Sequence, residues 1–169
     1  MHIASKHGLF VIEDAAQDDL PQILVLNESE VPHVGSVNIE RLHWFEKHAS
    51  YFRVARVDGD LTAFLIGLLP GSSYQSPNYL WFCERYKDFA YVDRIAVAAA
   101  GRRLGLASQL YDDFARAMQP AVTAMTCEVN IRPPNEASMQ FHLRRGFREV
   151  GTLVNQDDSK QVAMLLKDL

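Results

Sequence analysis

The chain has 169 residues, of which 48% are hydrophobic and 22% are charged, the balance of an ordinary globular domain. Its formal net charge of −4 argues against a general nucleic-acid-binding protein, because such proteins usually carry a basic surface. No apolar run approaches the ~20 residues that cross a bilayer. We therefore expect a single soluble domain over residues 1–169, with neither nucleic acid nor membrane as a partner.

Cysteine usage indicates the compartment. Cys83 and Cys127 form no CxxC pair, so we expect neither a disulfide framework nor a metal site. Glu13 and Asp14 interrupt the first hydrophobic stretch, and no signal-type apolar run is present. These observations favour a cytoplasmic protein.

The first part of the chain predicts a strand followed by two helices. Residues 9–12 form a short apolar run that ends in acids, which is typical of a strand. Asp18 or Asp19 can cap the first helix, and Asn38 can cap a second helix over residues 39–48.

The middle of the chain predicts a hairpin and then an unusual insertion. Two β-rich runs flank Asp58-Gly59-Asp60, a strong turn signal. Residues 70–88 are long, aromatic and without a clear period, so we interpret them as an irregular loop. The loop is either a lid over a site or a packed surface segment anchored by Tyr79, Trp81 and Phe82.

The last part of the chain predicts alternating strands and helices. Apolar residues recur every four positions after residue 105, and an Asn that can cap a helix follows a Pro-Pro break. The predicted elements are a strand over residues 90–97, a helix over 106–118, a strand over 122–129, a helix from Asn135 to Arg144 or Arg145, and strands over 147–154 and 161–166.

The sequence GRRLGLA lies where a strand gives way to a helix. A helix start presents backbone N–H groups and partial positive charge, which together bind phosphate. Gly101, Gly105 and Ala107 permit close approach, while Arg102 and Arg103 add charged donors. The alternative is a plain helix start with exposed arginines. Neither a Walker loop nor a G-x-G-x-x-G fingerprint is present.

Two stretches resemble the GNAT acetyltransferases. VAAAGRRLGLASQLY is similar to the family's acyl-CoA motif, a strand ending in Val followed by Gln/Arg-x-x-Gly-x-Gly/Ala, with Arg102, Gly105 and Ala107 at the motif positions. CEVNIRPPNEASMQFHLRRGF resembles the family's fifth strand, its Asn-led helix and the following Gly-Phe. Both motifs match in register, and the order of elements fits across the whole chain.

The resemblance implies an α/β fold, classed as α+β in some schemes. A mixed, mostly antiparallel central sheet of about seven strands would be flanked by about four helices. The family's fourth and fifth strands, which splay apart, would be residues 90–97 and 122–129. The family transfers an acetyl group from acetyl-CoA to an amine. Homodimers are common in the family, and the aromatic insertion is the one candidate interface that the sequence offers.

The resemblance also implies how acetyl-CoA binds. Main-chain N–H groups around Ile95 and Val97 would hold the thioester carbonyl and the pantetheine, whose arm would run near Val129 and Asn135. The amides of residues 103–107 would hold the pyrophosphate. Asn135 can equally be a simple helix cap. The implied cofactor-binding residues are Ile95, Ala96, Val97, Arg102, Arg103, Leu104, Gly105, Leu106, Ala107, Ser108, Asn135, Ser138 and Phe141.

Three residues are candidates for catalysis. Asp93 and Glu128 are acids in the two central strands, and either can serve as the base or form a structural ion pair, for Asp93 with Arg94. The sequence does not separate them. His142 lies seven residues after Asn135, where the family often has a Tyr general acid. An imidazole can donate a proton there, or it can simply pack beside the CoA tail.

The acceptor is the least determined part of the sequence. Acids in two loops, Glu28, Glu30, Asp157 and Asp158, can attract a cationic amine or be ordinary solvated loop residues. The sequence does not distinguish a polyamine, an amino acid, an aminoglycoside or a protein N-terminus. Two other functions stay open: a CoA-binding module without transferase activity, acting as a sensor or partner domain, and a nucleotide-binding domain that uses the same turn for ATP.

Overall fold

The computed structural model describes residues 2–5 and 8–169, which pack into two compact units. The first unit contains the residues up to Leu68 and Val92–Ala117, and the second contains Leu69–Tyr91 and Met118–Leu169. The described strands are β1 (His2–Ser5), β2 (Gly8–Asp14), β3 (Tyr51–Val57), β4 (Asp60–Leu68), β5 (Ala90–Val97), β6 (Ala124–Arg132), β7 (Arg148–Val154) and β8 (Gln161–Asp168). The described α-helices are α1 (Leu20–Ser29), α2 (Ile39–His48), α3 (Pro77–Arg85), α4 (Leu106–Met118) and α5 (Glu136–Arg144).

The first unit is built on β1, β2, β3, β4 and the greater part of β5, which are neighbours in that order. The first three pairings are antiparallel. Helix α4 buries the face that the four-residue repeat predicts, with Leu106, Leu110 and Phe114 at most 1% exposed. Burying each such side chain contributes about 1.5–3 kcal/mol, so this face holds the helix in place.

The second unit arranges its strands in the order β5, β6, β8, β7. The first two residues of β5 pair in parallel with β6, through Ala90–Met125 and Tyr91–Thr126. The β6–β8 and β7–β8 pairings are antiparallel. The two-residue parallel ladder is consistent with the splayed strands expected of a mixed, mostly antiparallel sheet.

The helix starts at two asparagines are confirmed. Asn38 Oδ1 accepts from Arg41 N at 2.9 Å, and Asn135 Oδ1 accepts from Ser138 N at 3.2 Å. Asp19 directly precedes α1 but bonds elsewhere: one carboxylate oxygen accepts from Ala16 N at 2.9 Å and the other from an arginine of β3 at 2.6 Å. It stabilises the approach to the helix instead of its first amides.

The interpretation of residues 70–88 as an irregular loop is wrong, because α3 occupies half of them. Ser76 and Pro77 start this helix, and tertiary burial stabilises it: Tyr79 is 1% exposed and Phe82 is fully buried. Two of the three predicted anchors, Tyr79 and Phe82, are thus buried, which favours the packed-segment interpretation. The other differences are small. β1 was not predicted, and β6 runs from residue 124 to 132, beyond the predicted 122–129.

Within the described part of the chain, no helix is both long enough and apolar enough to cross a bilayer. That the whole chain is one domain stays a prediction.

Gly67 lets α4 approach the sheet. A Cβ placed on Gly67, in β4, would collide with the ring of Phe114, which is fully buried. A well-packed interior leaves few voids into which a buried ring can move, so the ring resists the added methyl.

We expect Gly67→Ala to lower the free energy of unfolding by about 1–3 kcal/mol, because the added methyl overpacks the contact with Phe114. Urea unfolding measures this change. Gly35→Ala is the matched control, since nothing lies within 4 Å of a Cβ at Gly35, and it should shift stability by less than about 0.5 kcal/mol. Equal unfolding midpoints for the two variants would contradict the packing argument.

Candidate functional site

The turn before α4 presents main-chain and side-chain donors together. Gly101 is buried, and a side chain there would collide with Thr62 and Leu106. Arg103 and Gly105 have φ angles of 68° and 77°, in the left-handed region that a non-glycine residue rarely adopts. Such strained conformations cluster at ligand sites.

The helix ladder begins after this turn. The first backbone hydrogen bond of α4 runs from Gln109 N to Gly105 O at 3.0 Å. The amides that precede Gln109 in the helix therefore lie outside its own ladder, at the positively polarised end. Arg102 and Arg103 are exposed beside them. The turn thus combines the features that bind a phosphate group.

Arg102 is held by an acid of the same unit. Its Nη2 donates to both carboxylate oxygens of Glu30, at 3.0 and 3.2 Å. The Arg102 side chain is 60% exposed and that of Glu30 is 19% exposed. A pair whose arginine is mostly exposed is screened by solvent and contributes on the order of 1 kcal/mol, so another anion can displace Glu30 at little cost.

Asp93 lies in a structural ion pair. Its carboxylate accepts from Arg94 Nε at 2.8 Å, and its side chain is 4% exposed. Arg94 Nη1 also donates to Asn27 Oδ1 at 3.1 Å and to Gly35 O at 3.0 Å. This network connects β5 to α1 and to the loop that follows α1. Of the two interpretations of Asp93, the geometry favours the ion pair.

Glu128 has a different environment, in the second unit. It is half-buried on β6, and each of its carboxylate oxygens accepts one hydrogen bond. Tyr91 OH donates to Oε2 at 2.8 Å, and Asn78 Nδ2 donates to Oε1 at 3.0 Å. These two donors are uncharged, and together they orient the carboxylate. A carboxylate held in this way can accept a proton.

The structure groups Asn135, Ser138 and His142 at α5. His142 Nδ1 lies 2.7 Å from the carbonyl oxygen of Ser138, to which it donates when protonated at Nδ1. The imidazole is 4% exposed and meets the rings of Phe141 and Phe147 edge-on, with centroids 5.2 Å away. Burial lowers the pKa of His142 below 6.5, against the raising effect of the Ser138 carbonyl, and Arg145 lowers it further. A neutral imidazole bonded to the backbone favours the packing interpretation, and its role as general acid stays a prediction.

The remaining predicted cofactor residues lie at the end of β5, around the start of α4 and on α5. Ile95, Ala96 and Val97 form the end of β5, where Ala96 is buried and its neighbours are half-buried. Leu104, Ala107 and Ser108 are half-buried around the start of α4. Phe141 is half-buried on α5. The structure therefore brings residues 95–97 and 102–108 together in the first unit and Asn135, Ser138 and Phe141 together in the second.

The loop acids shape their own loops. Glu28 accepts from Val37 N at 2.7 Å and from a serine hydroxyl at 2.9 Å, and these two bonds, the largest causes, lower the pKa of Glu28. Asp157 accepts from Ser159, which lowers the pKa of Asp157, and Asp158 pairs with Arg132 at 2.8 Å. These bonds and the Glu30 ion pair favour a structural role for all four acids over attraction of an amine.

Sequence reasoning missed Asn78 and Tyr91. The two contacts to Glu128 join residues 50 and 37 positions apart, so no local pattern marks them. Within residues 2–5 and 8–169, no group of three or more His, Cys, Asp or Glu side chains could hold a metal ion.

Comparisons with known proteins give a consistent result. The model of the acetyltransferase (GNAT) family matches residues 12–147. An N-alpha-acetyltransferase of Sulfurisphaera tokodaii is 26% identical over 156 residues, covering 89% of this chain and 87% of that protein. The crystal structure of Ard1 from Thermoplasma volcanium is similar with a TM-score of 0.76 and 17% identity, covering 95% of this chain and 97% of that one. The ribosomal-protein-S18-alanine N-acetyltransferase from Escherichia coli is similar with a TM-score of 0.69 and 16% identity, covering 94% and 93%. At these identities the solved structures show a shared fold.

The lowered pKa of His142 has a consequence for stability. The unfolded chain takes up a proton on this residue as the pH falls through about 6.5, whereas the folded chain resists it. The stabilisation that depends on neutral His142 is therefore present above this pH and is lost as the pH falls below it. We expect the free energy of unfolding of the wild type to fall relative to that of His142→Phe as the pH is lowered from 7.5 to 5, because the variant lacks the imidazole that titrates. Urea unfolding of both proteins across this range measures it, and a constant difference would contradict the prediction.

Proposed function

Because the chain belongs to the acetyltransferase (GNAT) family, we propose that it is an acetyl-CoA-dependent N-acetyltransferase. It would transfer an acetyl group to a primary amine of a small molecule or a peptide. The observation that carries the proposal is the turn at Gly101–Ala107, which has exposed arginines and a left-handed backbone at the start of α4. The sequence of this turn resembles the family's acyl-CoA motif, which supports the proposal.

The residues of this turn fit a pyrophosphate. The amides of Leu106 and Ala107, which lie ahead of the helix ladder, would supply neutral donors, and Arg102 and Arg103 would supply charged ones. The amide of Leu104 already donates to Gly101 O at 3.4 Å. Arg102 would exchange the carboxylate of Glu30 for a phosphate oxygen, and the weak ion pair makes this exchange easy. Main-chain N–H groups of Ile95–Val97 would hold the thioester carbonyl and stabilise the charge that develops on its oxygen.

We assign the role of general base to Glu128. Acetyl-CoA supplies the acetyl group as a thioester. Glu128 accepts one proton from the acceptor ammonium, and the amine nitrogen then bonds to the thioester carbon. As the carbon–sulfur bond breaks, the nitrogen loses its second proton and the departing thiolate gains one. Asp93 is the weaker candidate for the base, because Arg94 already neutralises it in a buried pair.

The acceptor is proposed to be the α-amino group of a peptide. The support for this choice is the relative from Sulfurisphaera tokodaii, which is named an N-alpha-acetyltransferase and aligns along 89% of this chain. We place the enzyme in the cytoplasm, since Cys83 and Cys127 are thiols and not disulfide partners. A homodimer stays a prediction. Tyr79 and Phe82 of the suggested interface are buried within the second unit, which gives no support to an interface at these two residues.

The proposed function is tested by release of a thiol from acetyl-CoA against a panel of N-terminal peptides, polyamines, amino acids and aminoglycosides. Thiol release with one class supports transferase activity, and release with peptides supports the proposed acceptor. Binding of CoA with no release across the whole panel would favour the CoA-binding module. Thermal stabilisation by ATP but not by CoA would favour the nucleotide-binding domain.

We expect Arg102→Ala to weaken CoA binding about tenfold or more, because a charge-assisted hydrogen bond contributes about 1.5–3 kcal/mol. Arg102→Glu should weaken it further. Glu30→Gln is the matched control: it releases the arginine from its acid, so CoA affinity should stay the same or rise. Isothermal titration calorimetry measures all four proteins, and unchanged affinity in Arg102→Glu would refute the assignment.

Two isosteric variants separate the candidate bases. Glu128→Gln should lower kcat by about 10²–10⁴-fold with little change in CoA affinity, because the proton acceptor is lost. Asp93→Asn should mainly lower the melting temperature, since it leaves Arg94 without its buried partner. Steady-state kinetics well below both melting temperatures make the comparison. The reverse pattern, with kcat lost only in Asp93→Asn, would exchange the roles.

A further inference from the structure

We propose that helix α3 belongs to the catalytic apparatus and that Asn78 is its working residue, a positioning residue that holds Glu128. This inference rests on the proposed function, because it assigns to Asn78 a part in the same reaction. It also gives the insertion at 70–88 a role beyond packing.

The geometry of the carboxylate is the first argument. Asn78 Nδ2 bonds to Oε1 of Glu128 at 3.0 Å, while Tyr91 OH bonds to Oε2 at 2.8 Å. One donor on each oxygen fixes both the position and the plane of the carboxylate. Bonds to both oxygens restrain rotation of the carboxylate about its terminal bond, a soft torsion, more than a bond to one oxygen does. A base must lie within hydrogen-bond reach of the proton that it removes, so this restraint bears directly on turnover.

The rigidity of α3 is the second argument. Asn78 is the second residue of the helix and is followed by Tyr79, which is 1% exposed. The hydroxyl of Tyr79 donates to Leu69 O at 2.7 Å and accepts from Ser72 N at 3.2 Å. The start of α3 is therefore anchored to the chain that leads into it. Asn78 is presented from a fixed support, as a positioning residue requires.

The far side of α3 is anchored as well. Phe82 is fully buried, and Trp81 lies against Gly151 of β7, where a Cβ would come within 2.5 Å of Trp81 Cζ2. The rings of Tyr79 and Phe82 both meet that of Tyr91, with centroids 5.5 and 5.9 Å apart. Tyr91 thus packs against two rings of α3, the helix that carries Asn78, so moving α3 would disturb both donors to Glu128.

The groups around Glu128 determine how it should titrate in variants. Tyr91 is the titratable group that bonds to it from β5, Asn78 is the uncharged donor from α3, and β8 places Met164 opposite it in the register. A hydrogen bond to a carboxylate favours its ionised form, and a second carboxylate nearby disfavours it. Removing the Asn78 amide, or replacing it by a carboxylate, should therefore make Glu128 harder to ionise.

The test compares Asn78→Ala, Asn78→Asp and the wild type in the full chain, with the best amine from the acceptor panel. We expect kcat to fall about tenfold or more in Asn78→Ala, because a misplaced catalytic group is costly, while KM for acetyl-CoA stays unchanged. The acidic limb of the kcat profile should move to higher pH, and further in Asn78→Asp than in Asn78→Ala. Glu84→Gln is the matched control, an exposed change on the same helix that should leave rate and profile unaltered.

Asn78→Ala with wild-type kcat and an unmoved acidic limb would overturn the proposal. A second variant guards against misfolding: Asn78→Gln keeps the amide but displaces it, so partial recovery of kcat relative to Asn78→Ala supports positioning. If Asn78→Ala has a lower melting temperature, loss of kcat without movement of the acidic limb counts as structural damage and contradicts positioning.

A titration of Glu128 that does not require catalytic activity separates this inference from the proposed function. The titration midpoint of the Glu128 carboxyl, followed by ¹³C NMR, should rise in Asn78→Ala and remain in place in Glu84→Gln. An unchanged midpoint overturns the role of Asn78 even if the wild type is an active transferase. A raised midpoint in a wild type that acetylates no amine supports the restraint and rejects the proposed function alone.

Discussion

A glycine without room for a side chain sets the path of the chain at the start of α4. Gly101 is closed in by Thr62 and Leu106, and Ala98 N donates to Thr62 O at 2.8 Å just before it. The backbone therefore passes from β5 to α4 in direct contact with β4. Contacts with Thr62 and Leu106 fix the backbone at Gly101, and Arg102 and Arg103, which follow directly, are exposed. The stretch that resembles the family's acyl-CoA motif, VAAAGRRLGLASQLY, contains this tight passage.

The second unit depends on a different constraint, the packing of aromatic rings. Tyr79, Phe82, Phe89 and Tyr91 are at most 1% exposed and contact one another. Rings bury a large area with few torsions to restrict, so a nine-residue helix such as α3 can be held although isolated helices of that length are marginal in water. The polar ends of two of these side chains then serve as donors. Tyr79 and Tyr91 therefore each contribute a buried ring and a hydroxyl group that donates a hydrogen bond.

The sequence predicted those elements whose signals are local. The four-residue repeat predicted α4, and the asparagine caps predicted the starts of α2 and α5, because each signal lies within one turn of the element that it marks. It failed at α3, since Ser76, Pro77 and Asn78 have the composition of a loop and the helix depends on distant burial. It also left Asp93 and Glu128 unseparated. The sequence offered Arg94 as a partner for Asp93, but the donors to Glu128, Asn78 and Tyr91, are distant in the chain and come from tertiary structure.

The ion pair between Arg102 and Glu30 has a consequence for the dependence of binding on ionic strength. A cation that is solvated before it meets a phosphate gains a contact on binding, and added salt then weakens the complex by screening that contact. Arg102 starts from a contact with a carboxylate and would end with one to a phosphate, so electrolyte weakens both the initial and the final state. The contribution of this side chain to CoA affinity would therefore vary little between dilute buffer and the ionic strength of a cell.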